Sequence, residues 1–192
     1  MPRVELVTPA NSRLITLDQA KQHCRCQHDA ENDLFTGWIK AAEDFVQDYT
    51  NRALMTSTWQ WIGDCFPSDE DGADDAIDLI IGPVQSVASM TYTDVDGVEQ
   101  TLDAEDYQFQ AHPISPKLWP GVDSSWPWTQ GEKIDAVRIN LIAGYASAER
   151  VPARFSQAML LLIGEWFEKR EETSIPDAVY HLLDRLKAER YV

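Results

Sequence analysis

The spacing of apolar residues changes twice along this 192-residue chain, and this change constrains the fold more than any other feature. Between residues 29 and 50 apolar side chains recur every three or four positions, which is the period of an amphipathic α-helix. From Thr56 they alternate or form short runs, as in β-strands. After Pro152 the helical period returns. This order predicts an α+β fold, in which N- and C-terminal helices form a bundle and an antiparallel β block, about residues 56–145, is inserted between them.

The same changes of period divide the chain into three predicted parts. Residues 1–55 should contain the N-terminal helices of the bundle. Residues 56–150 should form the β insertion, with a loop rich in proline and tryptophan. Residues 151–192 should supply the C-terminal helices and a terminal tail.

Two helices are expected before the β block. Thr16 and Gln19 match a capping box that opens a short helix reaching about His23. Asp29 is a candidate cap for a longer helix, about 31–50. Its predicted buried face consists of Leu34, Phe35, Trp38, Ile39, Ala42, Phe45, Val46 and Tyr49.

Two further helices are expected after it. Pro152 suits a first helical turn, and the helix it opens, about 152–171, contains a stretch that is apolar all round, AMLLLIG. We therefore expect this helix to form the centre of the bundle and to pack against helix 31–50 through Trp166 and Phe45. Ser174 should begin a final helix that ends near Arg190, with an apolar stripe of Val179, Leu182, Leu183 and Leu186.

The β block should consist of several short strands. The Asp96-Gly97 pair between two apolar runs predicts a tight hairpin. The region 111–133 is predicted to be an ordered loop, whose Trp119, Trp126 and Trp128 either pin it to the core or form an interface patch. The expected strands cover 56–66, 78–81, 85–93, 98–102, 107–110 and 136–143.

The charge balance excludes one class of function. Lys and Arg number 16 against 32 Asp and Glu, a formal net charge of −16, with no basic stripe that could grip a phosphate backbone. The segment 151–192 is nearly neutral and is therefore a candidate contact region. No apolar run approaches the roughly 20 residues of a membrane span, and the N-terminus lacks the apolar stretch of a secretory signal.

His23, Cys24, Cys26 and His28 are candidate metal ligands, because four nitrogen and sulfur ligands within six residues suit zinc. The Cys-x-Cys spacing lacks the two-to-four-residue turn of zinc knuckles, and Cys24 continues an apolar helix face, so a core role is favoured. The acidic loop 68–76 and the Asp94/Asp96 turn do not match a calcium-binding loop. We expect no metal and no cofactor.

Catalytic motifs are not found in the sequence. It contains no nucleophile elbow, HExxH, Walker loop or GxGxxG pattern, and its four histidines lie in unrelated contexts. The chain is therefore predicted not to be an enzyme. The competing hypothesis is a metal-binding module or small enzyme that uses the His23–His28 cluster.

Several stretches together resemble a known family, the head–tail connector (adaptor) proteins of long-tailed double-stranded-DNA bacteriophages and gene transfer agents, in the subtype with a β insertion. The similarity runs in order along nearly the whole chain. Cys24 and Cys26 depart from it, since the family usually has aliphatic residues there. The stretches are Leu17-x-x-Ala20-Lys21-x-His23-x-Arg25, AAEDFVQDYTNRAL (41–54), DLIIGPVQSVASMTYTDVDGVEQTL (78–102), DYQFQ (106–110), KLWPGVDSSWP (117–127), DAVRINLIAGY (135–145) and VPARFSQAMLLLIGEWFEKREE (151–172).

The resemblance implies a structural virion protein. About twelve copies would form a ring under the portal protein, extend the DNA channel and offer a platform to a neck stopper or tail protein, while DNA passes without specific binding. The protein would lie in the head–tail neck of the virion, and in the host cytoplasm during assembly. A second alternative, a neck stopper or tail-completion protein, is disfavoured by the helical C-terminal third, because those proteins are usually β barrels.

The terminal segment, about 173–192, is predicted to dock on the portal. It is the least acidic part of the chain, and the resemblance to connectors points to the C-terminus. The alternative is that Leu182, Leu183 and Leu186 simply close the helical core. The candidate docking residues are Arg185, Leu186, Lys187, Arg190, Tyr191 and Val192.

Overall fold

The structure is a computed structural model that describes residues 2–67, 75–170 and 175–187 and divides into two compact units. The helical unit comprises Ser12–Met55 and Tyr145–Ala188, and the β unit comprises Met1–Asn11 and Thr56–Gly144. The predicted α+β fold, with antiparallel strands inserted between helical segments, is confirmed. None of the helices in these ranges is long and apolar enough to span a membrane.

The described part of the helical unit contains four α-helices. A 3-10 turn, Ala148–Arg150, precedes the third, and another, Asp184–Leu186, follows the fourth. The predicted final helix is shorter than expected, because it begins after Pro176, and its expected ends at Ser174 and Arg190 lie outside the described residues. The helices are α1 (Leu17–His23), α2 (Asn32–Thr50), α3 (Ala153–Lys169) and α4 (Asp177–Leu183).

The start of α1 is fixed by its capping box. The Gln19 backbone N–H donates to Thr16 Oγ1 at 3.2 Å, and the Thr16 N–H donates to Gln19 Oε1 at 2.9 Å, as predicted. The predicted cap of α2 was wrong. Glu31 occupies the N-cap position and makes no side-chain cap bond with the described residues. The Asp29 carboxylate, the expected cap, accepts instead from Lys21 Nζ at 2.6 Å.

Helices α2 and α3 pack together as the core of the helical unit, as predicted. No residue of the stretch 158–164 is exposed, which agrees with a central position for α3. The Phe35 and Phe167 rings stack with centroids 5.5 Å apart. The fully buried apolar side chains of the two helices are Phe35, Ala42, Val46, Phe155, Ala158, Met159, Leu162 and Ile163.

Helix α4 closes the same core. Val179 and Leu183 are fully buried, whereas Leu182 and Leu186 are half-buried. The Tyr180 ring packs edge-to-face against the rings of Phe45 and Tyr49, with centroid distances of 6.1 and 5.1 Å. Phe45, expected deep in the core, is therefore only half-buried under α4.

The β unit is built on a five-stranded antiparallel sheet in the order β1-β2-β8-β4-β5. The central strand β8 carries the fully buried Val137, Ile139 and Leu141 on one face, which is the alternation that the sequence predicts. Gly97, at φ +81°, forms the predicted hairpin turn between β4 and β5. The strands are β1 (Arg3–Thr8), β2 (Ser57–Gly63), β4 (Val84–Thr93), β5 (Glu99–Leu102) and β8 (Val137–Ala143).

Strand β1 was not predicted, because residues 1–55 were expected to belong to the helical bundle. Its side chains are almost all exposed, so they show no apolar alternation. The strand is held by backbone pairing along the edge of β2, with Val4 opposite Trp61. An edge strand of this kind has no hydrophobic signature in its own sequence.

A second, three-stranded antiparallel sheet has the order β3-β7-β6, with β3 at Ile77–Asp78, β6 at Tyr107–Gln110 and β7 at Lys117–Pro120. Strand β7 lies within the segment 111–133 that was expected to be loop throughout. The fully buried Leu118 pairs with Ile77 on one side and Phe109 on the other, which gives this short strand its place. Strand β3 ends earlier than expected, since Ile80 has a left-handed backbone at φ +62°.

The three tryptophans of segment 111–133 have different environments. Trp126 is buried, its ring stacks on Phe66 with centroids 5.0 Å apart, and its Nε1 donates to the Asp75 carbonyl at 2.6 Å. Trp119 is half-buried in β7, whereas Trp128 is 73% exposed. Trp126 thus pins the segment to the β unit, and the predicted patch of three does not form as one surface.

We predict unequal losses of stability for two aromatic truncations in the helical unit. Trp166→Ala should lower the free energy of unfolding by about 3–5 kcal/mol, because the side chain is almost fully buried. Phe45→Ala should cost about 1–2 kcal/mol, because part of its ring stays in water. Urea melts of both variants and the parent protein measure this difference, and equal losses would contradict the assigned packing.

A second pair of variants tests the β unit. Trp126→Ala should cost about 3–5 kcal/mol, since it removes a buried, stacked ring and a hydrogen bond. Trp128→Ala is the matched control and should change stability by less than about 0.5 kcal/mol. Thermal or urea unfolding monitored by circular dichroism distinguishes them, and a destabilising Trp128 variant would overturn the assignment.

Candidate functional site

The segment after α4 is the first candidate contact region. Its Lys187 Nζ lies 3.7 Å from the centroid of the Tyr49 ring and 3.6 Å from the Asp184 carboxylate. Tyr49 also donates its hydroxyl proton to Asp184 Oδ1 at 2.6 Å, and this hydrogen bond lowers the pKa of Asp184. Lys187, expected to be available for docking, is therefore engaged within the helical unit.

The other predicted docking residues differ in accessibility. Arg185 is exposed and makes no ion pair with any residue that the structure describes, whereas Leu186 is half-buried. Arg190, Tyr191 and Val192 lie outside the described residues. Among the described residues of this segment, Arg185 is therefore the cation available to a partner.

The second candidate region is the hairpin of the β unit and the exposed Trp128 beside it. Asp94 forms an isolated bridge with Thr129, and the Gln130 N–H donates to the Thr93 carbonyl at 3.1 Å. Trp128 directly precedes Thr129 and Gln130, which are held against the hairpin. The hairpin's own Val95 and Val98 are 62% and 54% exposed. This part of the β unit therefore presents exposed apolar side chains.

Asp94 itself acts as a turn residue. Its Oδ1 accepts the backbone N–H groups of Asp96 and Val98 at 3.0 and 2.9 Å. The pKa of Asp94 lies below its ordinary value, mainly because Gln100 donates a side-chain hydrogen bond to its carboxylate. The backbone donors lower the pKa further. The carboxylate is satisfied by the hairpin, which agrees with the predicted hairpin turn.

The segment between α1 and α2 is the third candidate region, and it does not bring together the four predicted ligands. His23 is exposed and lines an open groove of about 480 Å³ with Leu14, Ile15 and Leu160. Cys24 is half-buried, and burial raises the pKa of its thiol. Both residues thus lie apart from the one group of candidate ligand atoms found in the described part of the chain.

That group consists of Cys26, His28 and Glu31, whose ligand atoms all lie within 4.8 Å of one another. Cys26 is buried, as expected of a core residue, and its Sγ lies 3.6 Å from His28 Nε2. Sequence reasoning missed Glu31. Its only signal was its spacing of three residues from His28, which is common by chance in an acidic chain.

Comparison with known proteins identifies relatives of the chain. Residues 14–108, about half of it, match the family model described as phage gp6-like head–tail connector protein. A search of curated proteins found no match.

Solved structures with the same fold come from gene transfer agent (GTA) particles. One chain, from the neck of an empty GTA particle computed with C6 symmetry, matches at 21% identity and a TM-score of 0.79, covering 99% of this chain and 97% of that one. A chain from the virion of a native GTA particle matches equally well, at 21% identity and 0.79, over 98% and 97%. A third, from the neck of a native GTA particle computed with C12 symmetry, gives 0.74 at 21% identity over 99% and 97%.

These matches agree with the resemblance seen in the sequence. The TM-scores show a common fold over nearly the full length of the chain, and at 21% identity the solved structures show the fold alone. The family match supplies a structural connector role rather than an enzymatic one. The chain belongs to the phage gp6-like head–tail connector family.

Proposed function

We propose that this protein is a head–tail connector of a phage or gene transfer agent particle, located in the neck of the virion and in the host cytoplasm during assembly. The observation that carries the proposal is the fold match to a GTA neck chain, at a TM-score of 0.79 over 99% of this chain and 97% of the other. The alignment covers almost all of both chains, so it includes both units of this protein. The family match over residues 14–108 supports the same role independently.

Within this proposal about twelve copies form a ring under the portal protein. The rotational symmetries of the similar neck structures, C6 and C12, favour a ring, because a cyclic assembly closes through one interface repeated head to tail. Each copy then contributes two different surfaces to its neighbours. The exposed Trp128, with Val95 and Val98, is a candidate for one of them.

The ring extends the DNA channel and serves as a platform for a neck stopper or tail protein. Each copy has a formal net charge of −16, so a channel lined by this protein repels rather than holds the phosphate backbone. DNA can then pass without being retained by specific or non-specific contacts.

The C-terminal segment is the proposed portal-docking element. Its charge is nearly balanced in the sequence. Arg185 follows the buried residues of α4, is exposed, and makes no ion pair with any described residue. The buried Val179 and Leu183 support the alternative for α4 itself, which closes the helical core. Docking is therefore assigned to Arg185 and to the last residues of the chain, and not to the apolar stripe of α4.

The neck stopper or tail-completion alternative is less well supported. Nearly half of the chain forms a helical unit with a continuous core across α2, α3 and α4, which a β-barrel protein would lack. The metal-binding alternative does not exclude a connector role.

We predict that the purified protein does not bind duplex DNA. Its charge of −16 should prevent measurable binding at micromolar protein near 0.1 M salt. Fluorescence anisotropy with labelled duplex DNA tests this expectation. Micromolar affinity that falls steeply with salt would contradict the proposed channel surface.

Portal docking is tested by deleting residues 188–192. The shortened protein should keep its circular dichroism spectrum and melting temperature, because the buried residues of α4 precede the cut, but it should no longer co-purify with rings of its cognate portal protein. Arg185→Glu in the full chain should weaken the same binding at least tenfold, through charge reversal at the contact.

The matched control is Arg154→Glu, a charge reversal at an exposed residue of α3 that makes no ion pair within the described chain. It should leave portal binding unchanged. Unaltered binding by the truncated protein, or its unfolding, would remove the docking assignment and leave the C-terminus as part of the core.

A further inference from the structure

We propose that Cys26, His28 and Glu31 form a binding site for one divalent transition-metal ion of the zinc type, between α1 and α2. The site differs from the four-residue cluster considered from the sequence, since it excludes His23 and Cys24 and adds Glu31. It is independent of the proposed connector function, so either can fail without the other.

The spacing of the ligand atoms suits such an ion. A tetrahedral zinc ion has metal–sulfur and metal–nitrogen bonds of about 2.3 and 2.0–2.1 Å, which place the sulfur and nitrogen atoms about 3.5 Å apart. The observed distance between Cys26 Sγ and His28 Nε2 is 3.6 Å. A thiol–imidazole hydrogen bond would give a similar distance, so the assignment of a metal site depends on the third ligand.

Glu31 supplies that third ligand. Its Oε1 accepts from Arg170 Nη1 at 2.7 Å, whereas its Oε2 is buried and has no hydrogen-bond partner among the residues that the structure describes. A buried carboxylate oxygen without a donor is unfavourable, and a cation bound to it would offset that cost. Arg170 at the same time fixes the orientation of the carboxylate, as the outer partners of metal ligands do.

The backbone around the site is well fixed. The Cys26 N–H donates to the Lys21 carbonyl at 2.9 Å, just after Arg25 adopts a left-handed conformation at φ +54°. Cys26 is buried at 9% exposure, while His28 is exposed, so the ion would be reached from the His28 side. Three protein ligands leave a fourth position for water.

Binding would link three parts of the helical unit. Cys26 and His28 belong to the connection after α1, Glu31 is the N-cap of α2, and Arg170 is the C-cap of α3. On binding, the Cys26 thiol loses its proton to solvent as the metal–sulfur bond forms, and His28 donates the lone pair of Nε2. An ion that binds the folded chain only would raise its melting temperature.

The test uses the full-length protein, stripped with a chelator and titrated with Co²⁺ and then Zn²⁺. We expect one equivalent of Co²⁺ per chain, a thiolate-to-cobalt charge-transfer band, and loss of the band when Zn²⁺ displaces Co²⁺. His28→Gln, at an exposed residue that should not disturb folding, should weaken Zn²⁺ binding at least tenfold. Glu31→Gln should weaken it about 10–100-fold. Cys26→Ser should abolish the band.

The matched controls are Cys24→Ser, Cys65→Ser and His23→Gln, which should leave stoichiometry, band and affinity unchanged. Circular dichroism of each variant without metal verifies folding. The proposal is overturned if the parent protein binds no stoichiometric metal, if the band survives in Cys26→Ser, or if the Cys24 or Cys65 variant loses it. Unchanged affinity in both His28→Gln and Glu31→Gln would equally exclude this ligand set.

Discussion

The packing of α2 against α3 is the contact on which the helical unit depends. The two helices are separated by about 100 residues of sequence, so their association must offset the entropy of closing a long loop. Large buried side chains on both helices supply the apolar surface that does so, from Phe35 on α2 to Phe155 and Leu162 on α3. Helix α4 then covers what remains of that surface with Val179 and Leu183.

The same constraint explains how the chain leaves and re-enters each unit. In the helical unit Met55 and Tyr145 form a bridge, and the Tyr145 N–H donates to the Leu54 carbonyl at 3.1 Å. Arg52, buried at 3% exposure, donates to the Tyr145 hydroxyl at 2.6 Å and lies against the Tyr145 and Phe155 rings. In the β unit, Gln85 Nε2 donates both to Thr56 Oγ1 and to the Gly144 carbonyl. Entry and exit are thus held together separately in each unit, which allows a β block to be inserted without opening the helical core.

Elements with a local signal were predictable from the sequence, and elements held by distant partners were not. The capping box of Thr16 and Gln19, the periodic face of α2 and the Asp96-Gly97 turn each carry their information within a few residues. Strand β1 depends on pairing with the edge of β2, and β7 depends on the pairing of Leu118 with Ile77, which is distant in sequence. Prolines at both ends of β7 favoured a loop instead.

The candidate sites show the same division. The helical spacing predicted a core position for Cys24, which is only half-buried. The burial of Cys26 and its approach to Glu31 depend on how the chain turns after Arg25. Lys187 looked free in the sequence, because nothing local indicates the Tyr49 ring, which comes from α2. Trp126 and Trp128 are two residues apart and have opposite environments, set by whether Phe66 is within reach.

The net charge also limits how copies of this protein can meet in the proposed ring. Each copy has a formal charge of −16, so surfaces rich in carboxylates repel one another and cannot form the repeated interface unless cations screen them. Interfaces between such copies must then use side chains with little charge, and protein interfaces are depleted of charged residues at their centres. The most exposed large apolar residues of the described chain, Val122, Trp128 and Ile134, all belong to the β unit. The β unit is also the more acidic of the two units, so these apolar side chains can join copies only where the surrounding carboxylates stay outside the contact or are screened by cations.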